Sequence, residues 1–218
     1  PDAAARSRAD KLVSLLIPVQ KAYCTDRGFD ACVMAQQVLG GHGYVAEWGL
    51  EQNVRDARIA QIYEGANGVQ ALDLMGRKTV RANGELLALL SEEMDAFVAS
   101  QAGVPAMQSY LVSLATCRKV LSDATLFVID SAASNPEEIG AASYAYMELM
   151  GLTLYCFMWQ RILAAALADK GGDNAEYLDG LVKVGEFFLA RQVPRVLSLL
   201  AEIEAGSESL MAMAANQF

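Results

Sequence analysis

Residues 37–78 read QVLGGHGYVAEWGLEQNVRDARIAQIYEGANGVQALDLMGRK, and this stretch decides how the rest of the chain is to be taken. It carries two glycine-punctuated loops, Gly40-Gly41-His42-Gly43-Tyr44 and Tyr63-Glu64-Gly65-Ala66-Asn67-Gly68, with a charged helical segment between them. Glycines that follow directly on an apolar-periodic run end a helix, and their bare backbone also permits close approach to a ligand. Taken alone, Gly-Gly-x-Gly is more often a helix stop than a site. It is not a dinucleotide fingerprint either, because no strand precedes it and the third-glycine spacing is missing. His42 reads as an exposed turn residue. Glu64 stands at the mouth of the next helix and has two readings. Its carboxylate caps the orphan amides of that helix, or it faces a pocket as a general base.

Outward from this stretch, helical periodicity runs in both directions, and no alternating β-branched run is long enough for a strand. The pattern predicts helices over 3–39 (bent near Thr25–Gly28), 50–58 and 66–81, then a hinge at Ala82-Asn83-Gly84. Further helices are expected over 85–101, 105–133, 137–169 and 175–205, with a weaker one near 207–215. Ser134-Asn135-Pro136-Glu137-Glu138 is the clearest start signal: Asn135 can accept first-turn amides, Pro136 suits the first helical position, and the two glutamates favour the positive end of the helix dipole. Gly171-Gly172-Asp173-Asn174 should end one helix and cap the next, and Pro194 should kink the last long one. Leu86, Leu89, Leu90, Met94 and Phe97 form one apolar stripe, and Ile139, Tyr146, Met150, Leu154 and Phe157 another. Both read as core. The expectation is an all-α protein with one helical domain over 1–82 and a second helical bundle over 83–218.

The totals narrow the class. A chain of 218 residues, 54% hydrophobic and 8% aromatic, can bury a sizeable core and reads as a soluble helical bundle. A net charge of −9 without a dense Lys/Arg cluster speaks against nucleic-acid and anionic-membrane partners. Cys24, Cys32, Cys117 and Cys156 form no C-x-x-C pair, and there is a single histidine. They argue against a metal site and read as free buried thiols in a reducing cytoplasm. No signal peptide opens the chain, and Pro1 to Arg6 reads as the middle of something longer. The most apolar stretch, Ile139 to Ala168, carries Glu148, Gln160 and Arg161 and is expected as a buried helix, not a membrane span.

Gln37, Gly40, Gly41, Gly43, Tyr44, Arg55, Asp56, Gln61, Ile62, Tyr63, Glu64 and Gly65 stand at the spacing of a known pattern. The stretch closely resembles the C-terminal signature of the acyl-CoA dehydrogenases: Gln-x-x-Gly-Gly-x-Gly-Tyr/Phe, then Arg-Asp, then Gln-Ile-Tyr-Glu-Gly-Thr. The clear resemblance covers residues 5 to about 80. It implies that 1–82 is the C-terminal part of the family's four-helix bundle. By length and helicity, 83–218 resembles the additional helical domain of the larger bacterial-type members.

The resemblance implies an FAD-dependent oxidation of an acyl-CoA thioester to the trans-2-enoyl-CoA, as in fatty-acid β-oxidation, with electron-transfer flavoprotein as acceptor. By resemblance Glu64 is the base that removes the α-proton, and its backbone N–H, with a flavin ribityl hydroxyl, holds the thioester carbonyl. The α-proton of a thioester is weakly acidic, so its removal needs a placed carboxylate and donors for the developing enolate oxygen. Enclosure by acyl chain and flavin would raise the carboxyl's pKa. Tyr63 and Gly65 would line the substrate site. Gln37, Gly40 and Gly41 match positions at the FAD adenosine diphosphate of a neighbouring subunit, which implies a homo-oligomer, dimer or tetramer. Arg55 and Asp56 match a pair expected to be structural.

One departure stands out: the family's threonine after Glu-Gly, a flavin contact, is Ala66 here. The missing hydrogen bond is expected from Asn67 or a water. The family's N-terminal helical and central β-domains are absent from the sequence, so the chain is expected to be a fragment that does not turn over alone. Two alternatives remain: a non-catalytic FAD-binding relative, against which Glu64 and the acidic charge argue, and a helical oligomerisation module. Long-chain acyl-CoA and sulfur-containing acyl-CoA such as methylmercaptopropionyl-CoA both stay open as substrates.

Overall fold

Asp2 starts the first helix, its carboxylate accepting the Ala5 amide at 2.7 Å. In the computed structural model, which describes residues 2–169 and 172–217, α1 runs unbroken over Ala3–Val38, through the Thr25–Gly28 stretch where a bend was expected. Short 3-10 turns at Gly40–Tyr44 and Ala46–Trp48 reverse the chain. α2 (Leu50–Ala60) then returns along α1. α3 (Asn67–Leu72) widens into π-type turns over Asp73–Val80. The expected hinge is a fixed turn. Asn83 (φ 47°) and Gly84 (φ 74°) are left-handed, and the Gly84 amide donates to Thr79 O at 3.0 Å. Beyond it come α4 (Glu85–Gln101), α5 (Gln108–Ala132) and α6 (Glu137–Ala168). α7 (Ala175–Arg191), α8 (Arg195–Glu204) and the short α9 (Glu208–Met211) complete the chain. No strand occurs among the described residues.

The local signals are used unevenly. Asn135 Oδ1 does accept the Glu137 amide, at 3.2 Å, at the head of α6. Asn174 occupies the cap position of α7 but makes no side-chain cap bond, and Gly171 lies outside the described residues, as does Pro1. Pro194 does more than kink: it splits the expected 175–205 helix into α7 and α8, with the Gln192 and Val193 amides both closing on Phe188 O. The thiols are free, but only Cys117 and Cys156 are buried, whereas Cys24 is exposed and Cys32 half-buried.

α6 is apolar all round, and a helix of that kind belongs in an interior. It packs on α5, α7 and α8, and its other side reaches α1 and α3. It is long and apolar enough to cross a membrane, yet 56% of its most apolar window is buried against other helices. Leu15, Tyr23, Leu74 and Met75 join Met94, Leu121, Tyr146 and Met150 in one buried cluster, so side chains from both sides of the 82–84 turn share a core. The Ile139, Tyr146, Met150, Leu154, Phe157 stripe faces it, and so do Leu86, Leu90, Met94 and Phe97 of the other, whereas Leu89 is half-buried and lies outside the cluster. Gly151 on α6 makes the closest junction, its bare backbone against the Tyr23 ring. That ring also meets Tyr155 edge-on with centroids 4.9 Å apart, and the Arg27 guanidinium lies 5.3 Å from its centre. Arg27 pairs with Glu148 of α6 at 3.1 Å. Burial pushes the Glu148 carboxyl up, and Arg27 and Arg195 pull it back down.

Candidate active site

The two glycine-marked loops sit at opposite ends of α2. The Gly40–Tyr44 turn caps the C-terminal end of α1, while the Glu64 turn folds back onto the middle of α1 at Asp26. Asp26 and Gln37 are separated by about 16 Å of helix at 1.5 Å per residue. The expected adenosine-diphosphate residues and the expected base therefore form two places on one face, not one pocket.

In the first place, Gln37, Gly40 and Gly41 are exposed. A Cβ added at Gly40 or Gly41 would meet nothing within 4 Å, so their backbone faces open space. Gly43 is the opposite case: it is buried, and a Cβ there would lie 2.1 Å from Gln36 O at the end of α1. Gly43→Ala is expected to destabilise the intact protein by about 2 kcal/mol, a fall in Tm of roughly 4–8 °C. Gly41→Ala should stay within roughly 2 °C, and paired thermal melts check the contrast. His42 is exposed, with its ring edge-on to Trp48. Arg55 and Asp56 form no ion pair with each other: Asp56 accepts Gln52 Nε2 at 2.7 Å, and Arg55 lines an open cleft with Phe29, Tyr44, Val54, Arg58 and Ile62.

In the second place, Glu64 (φ 52°) and Gly65 (φ 86°) are consecutive left-handed residues. For a glutamate this backbone is uncommon and marks a position held by its surroundings. The Glu64 side chain is exposed and makes no hydrogen bond or ion pair among the described residues. It is not the cap of α3: that position belongs to Ala66, and no side chain caps it. The amides of Glu64, Gly65 and Ala66 also find no acceptor among the described residues. A carboxylate and a run of free N–H groups thus stand together in the open, with Tyr63 beside them at 50% exposure. No described residue pairs with the carboxylate or with these amides.

What holds this turn was not foreseen. Asn67, expected to replace a lost flavin contact, is buried at 5% exposure and turned inward. Its Nδ2 donates to Ala22 O (3.1 Å), Thr25 Oγ1 (2.9 Å) and Asp26 Oδ1 (2.7 Å), and its Oδ1 accepts Lys21 Nζ at 2.7 Å. That side chain is committed to α1. Gln61 Nε2 donates to Asp26 Oδ1 at 2.6 Å, and the Asn67 amide closes on Gln61 O at 3.0 Å. The Tyr144 hydroxyl of α6 donates to Asp26 Oδ2. Burial and the bond to Asp26 push that phenol up, so it remains a donor. A signal for Asp26 did exist: it continues the Leu15, Val19, Ala22 stripe at i+4 from Ala22, a carboxylate on the buried face of a helix.

Comparison with known proteins accords with this geometry. The family model described as "Acyl-CoA dehydrogenase, C-terminal domain" matches residues 2–78, and that described as "Acetyl-CoA dehydrogenase C-terminal like" matches residues 90–214. The chain is 33% identical over 194 residues to the 3-methylmercaptopropionyl-CoA dehydrogenase of Ruegeria pomeroyi, a match covering 87% of this chain and 32% of that protein. It is 30% identical over 216 residues to the broad-specificity linear acyl-CoA dehydrogenase FadE5 of Mycobacterium tuberculosis, covering 93% and 35%. With a butyryl-CoA dehydrogenase of Syntrophomonas wolfei it shares 26% over 225 residues, covering 100% and 36%. The chain thus spans about a third of the length of these relatives. One family model takes in the Gly-rich turn and the Glu64 loop, the other more than half of the chain beyond them, and the chain belongs to the acyl-CoA dehydrogenase family.

Proposed function

We propose that the intact protein oxidises an acyl-CoA thioester to the trans-2-enoyl-CoA, with Glu64 as the base. The observation that carries this reading is the Glu64 turn: an unpaired carboxylate beside unpaired amides on a buried anchor. Glu64 takes the α-proton, the electron pair of the Cα–H bond becomes the new Cα–Cβ π-bond, and a hydride leaves Cβ. FAD, when bound, supplies the acceptor for that hydride. The Glu64 amide donates to the thioester oxygen as negative charge builds there, which lowers the barrier to proton loss.

The residues present fit a flavin dinucleotide. Gly40 and Gly41 leave open backbone. The adjoining cleft sets Tyr44, Val54 and Ile62 beside Arg55, Arg58 and Glu51, apolar surface with two cations against one carboxylate, a net positive lining suited to an adenine and its diphosphate. Gln37 stands at the end of this face. Ala66 offers no hydroxyl, and Asn67 is turned away, so the contact the family makes with a threonine is left to the free amides of the turn. Assembly as a homo-oligomer with FAD across the subunit interface and electron-transfer flavoprotein as acceptor rest on the family resemblance, a cytoplasmic location rests on the free thiols, and all belong to the same proposal.

The test is an anaerobic titration of the intact yellow protein with a series of acyl-CoAs, read as loss of flavin absorbance. Bleaching by at least one thioester is the expected result, and the most effective one identifies the chain length. A protein that no thioester in the series bleaches would overturn the reading.

A further inference from the structure

The carboxylate of Asp26, buried at 6% exposure, has no cation paired with it among the described residues. Arg27, its neighbour in sequence, is turned to Glu148 and Asp30 instead. The Asp26 charge is held by hydrogen-bond donors alone: Gln61 and Asn67 on Oδ1, Tyr144 on Oδ2. A buried carboxylate held in this way loses stabilisation with each donor removed, and Oδ2 has Tyr144 as its one donor among the described residues. Gln61 and Asn67 lie three residues to either side of Glu64. Between them the backbone tethers among the described residues are the Ile62 and Tyr63 amides on Ile59 O (3.0 and 3.1 Å) and the Asn67 amide on Gln61 O (3.0 Å), and the amides of Glu64, Gly65 and Ala66 have none. The place of the Glu64 carboxylate therefore follows the two feet of the turn, which Asp26 ties together: Gln61 is held on α1 by Asp26, and Asn67 by Asp26 with Lys21, Ala22 and Thr25. Tyr144, the third donor, comes from α6, 118 residues further along the chain.

We propose that Tyr144 is a positioning residue for Glu64: by holding Asp26 from the far side, α6 sets the stance of the turn, so the helices after residue 83 take part in the reaction's geometry. This rests on the reading of Glu64 as the base. It assigns a role to one hydroxyl that does not touch substrate or cofactor.

Tyr144→Phe in the intact FAD-loaded protein removes that oxygen and keeps the ring. Tyr155→Phe is the control, since the Tyr155 hydroxyl, also on α6, reaches only Cys24 at 3.9 Å. With saturating acyl-CoA, Tyr144→Phe is expected to slow flavin reduction by about 10-fold, as small misplacements of a catalytic group do. The half-saturating concentration should not change, and the isotope effect with α-deuterated substrate should rise. Without substrate, the Tyr63 and Asn67 amides should exchange with deuterium faster than in wild type. Tyr155→Phe should match wild type throughout. Wild-type flavin reduction in Tyr144→Phe overturns the proposal even if Tm falls, because a merely structural hydroxyl would do that. Unchanged exchange at Tyr63 and Asn67 overturns it as well, and this arm needs no turnover. If acyl-CoA reduces no flavin in the wild type, the role of Glu64 fails and takes the proposal with it, and the exchange data distinguish that case.

Discussion

Glu64→Gln is expected to bind FAD and acyl-CoA and yet to reduce flavin about 10³-fold more slowly than the wild type, the scale of a lost general base. The substitution suits the site. Glutamine matches glutamate in size, places no new demand on the φ 52° backbone and keeps the amide proposed to hold the thioester oxygen. It removes only the basicity. The Glu64 side chain makes no hydrogen bond or ion pair among the described residues, so the substitution should also shift stability by no more than about 0.5 kcal/mol. A thermal melt therefore separates lost chemistry from lost fold. Charge-transfer or difference spectra on adding acyl-CoA would show that binding persists. A variant that keeps more than a tenth of the wild-type rate would remove Glu64 from the base role and leave the unpaired amides as the surviving part of the site.

The second large effect lies at the junction of α1 and α6. A Cβ at Gly151 would stand 2.2, 2.4 and 2.6 Å from three ring carbons of Tyr23, where real Cβ atoms do not come within 3.0 Å of a neighbour. These are the near atoms of the ring, so no end-group rotation relieves the clash. The ring is 3% exposed and bounded by Tyr155 and Arg27, so it cannot swing into open space. Gly151→Ala should therefore cost about 3 kcal/mol or more, roughly 6–12 °C in Tm. Tyr23→Leu makes room at the cost of its own cavity. In the double variant the two losses should fall short of their sum by about 1–2 kcal/mol, as expected for residues in direct contact. Additive losses would mean that α1 and α6 can slide apart freely at this point. Because Tyr144 lies two turns before Gly151 on the same helix, Gly151→Ala is also expected to loosen the Asp26 anchor and slow flavin reduction.

Much of this protein was legible because the signals are local. The glycine turns at 40–43 and 83–84, the Asn135 cap on α6 and the apolar stripes of α4 and α6 are each written within a few residues. Backbone conformation and helical periodicity act over that same range. The composition of α6 announced an interior helix for a similar reason: a helix with few charges and no single polar face needs other helices on most of its sides. Pro194 shows the limit of a local signal. The missing amide guaranteed a disturbance, but whether the helix bent or broke depended on how α7 and α8 each pack against α6.

The sequence by itself determined most of the helices, the Asn135 cap on α6 and the presence of Glu64 on a glycine-flanked turn. Only the tertiary structure decided that Asn67 faces inward, that Glu64 caps nothing, and that Asp26, Gln61, Asn67 and Tyr144 meet at one carboxylate. The physical reason is one of range. Periodicity tells which side of a helix faces the core, but a hydrogen bond across 118 residues leaves no mark on the intervening sequence. It forms because α6 buries its apolar faces against several helices at once and, in doing so, is laid against α1 at the height of Asp26.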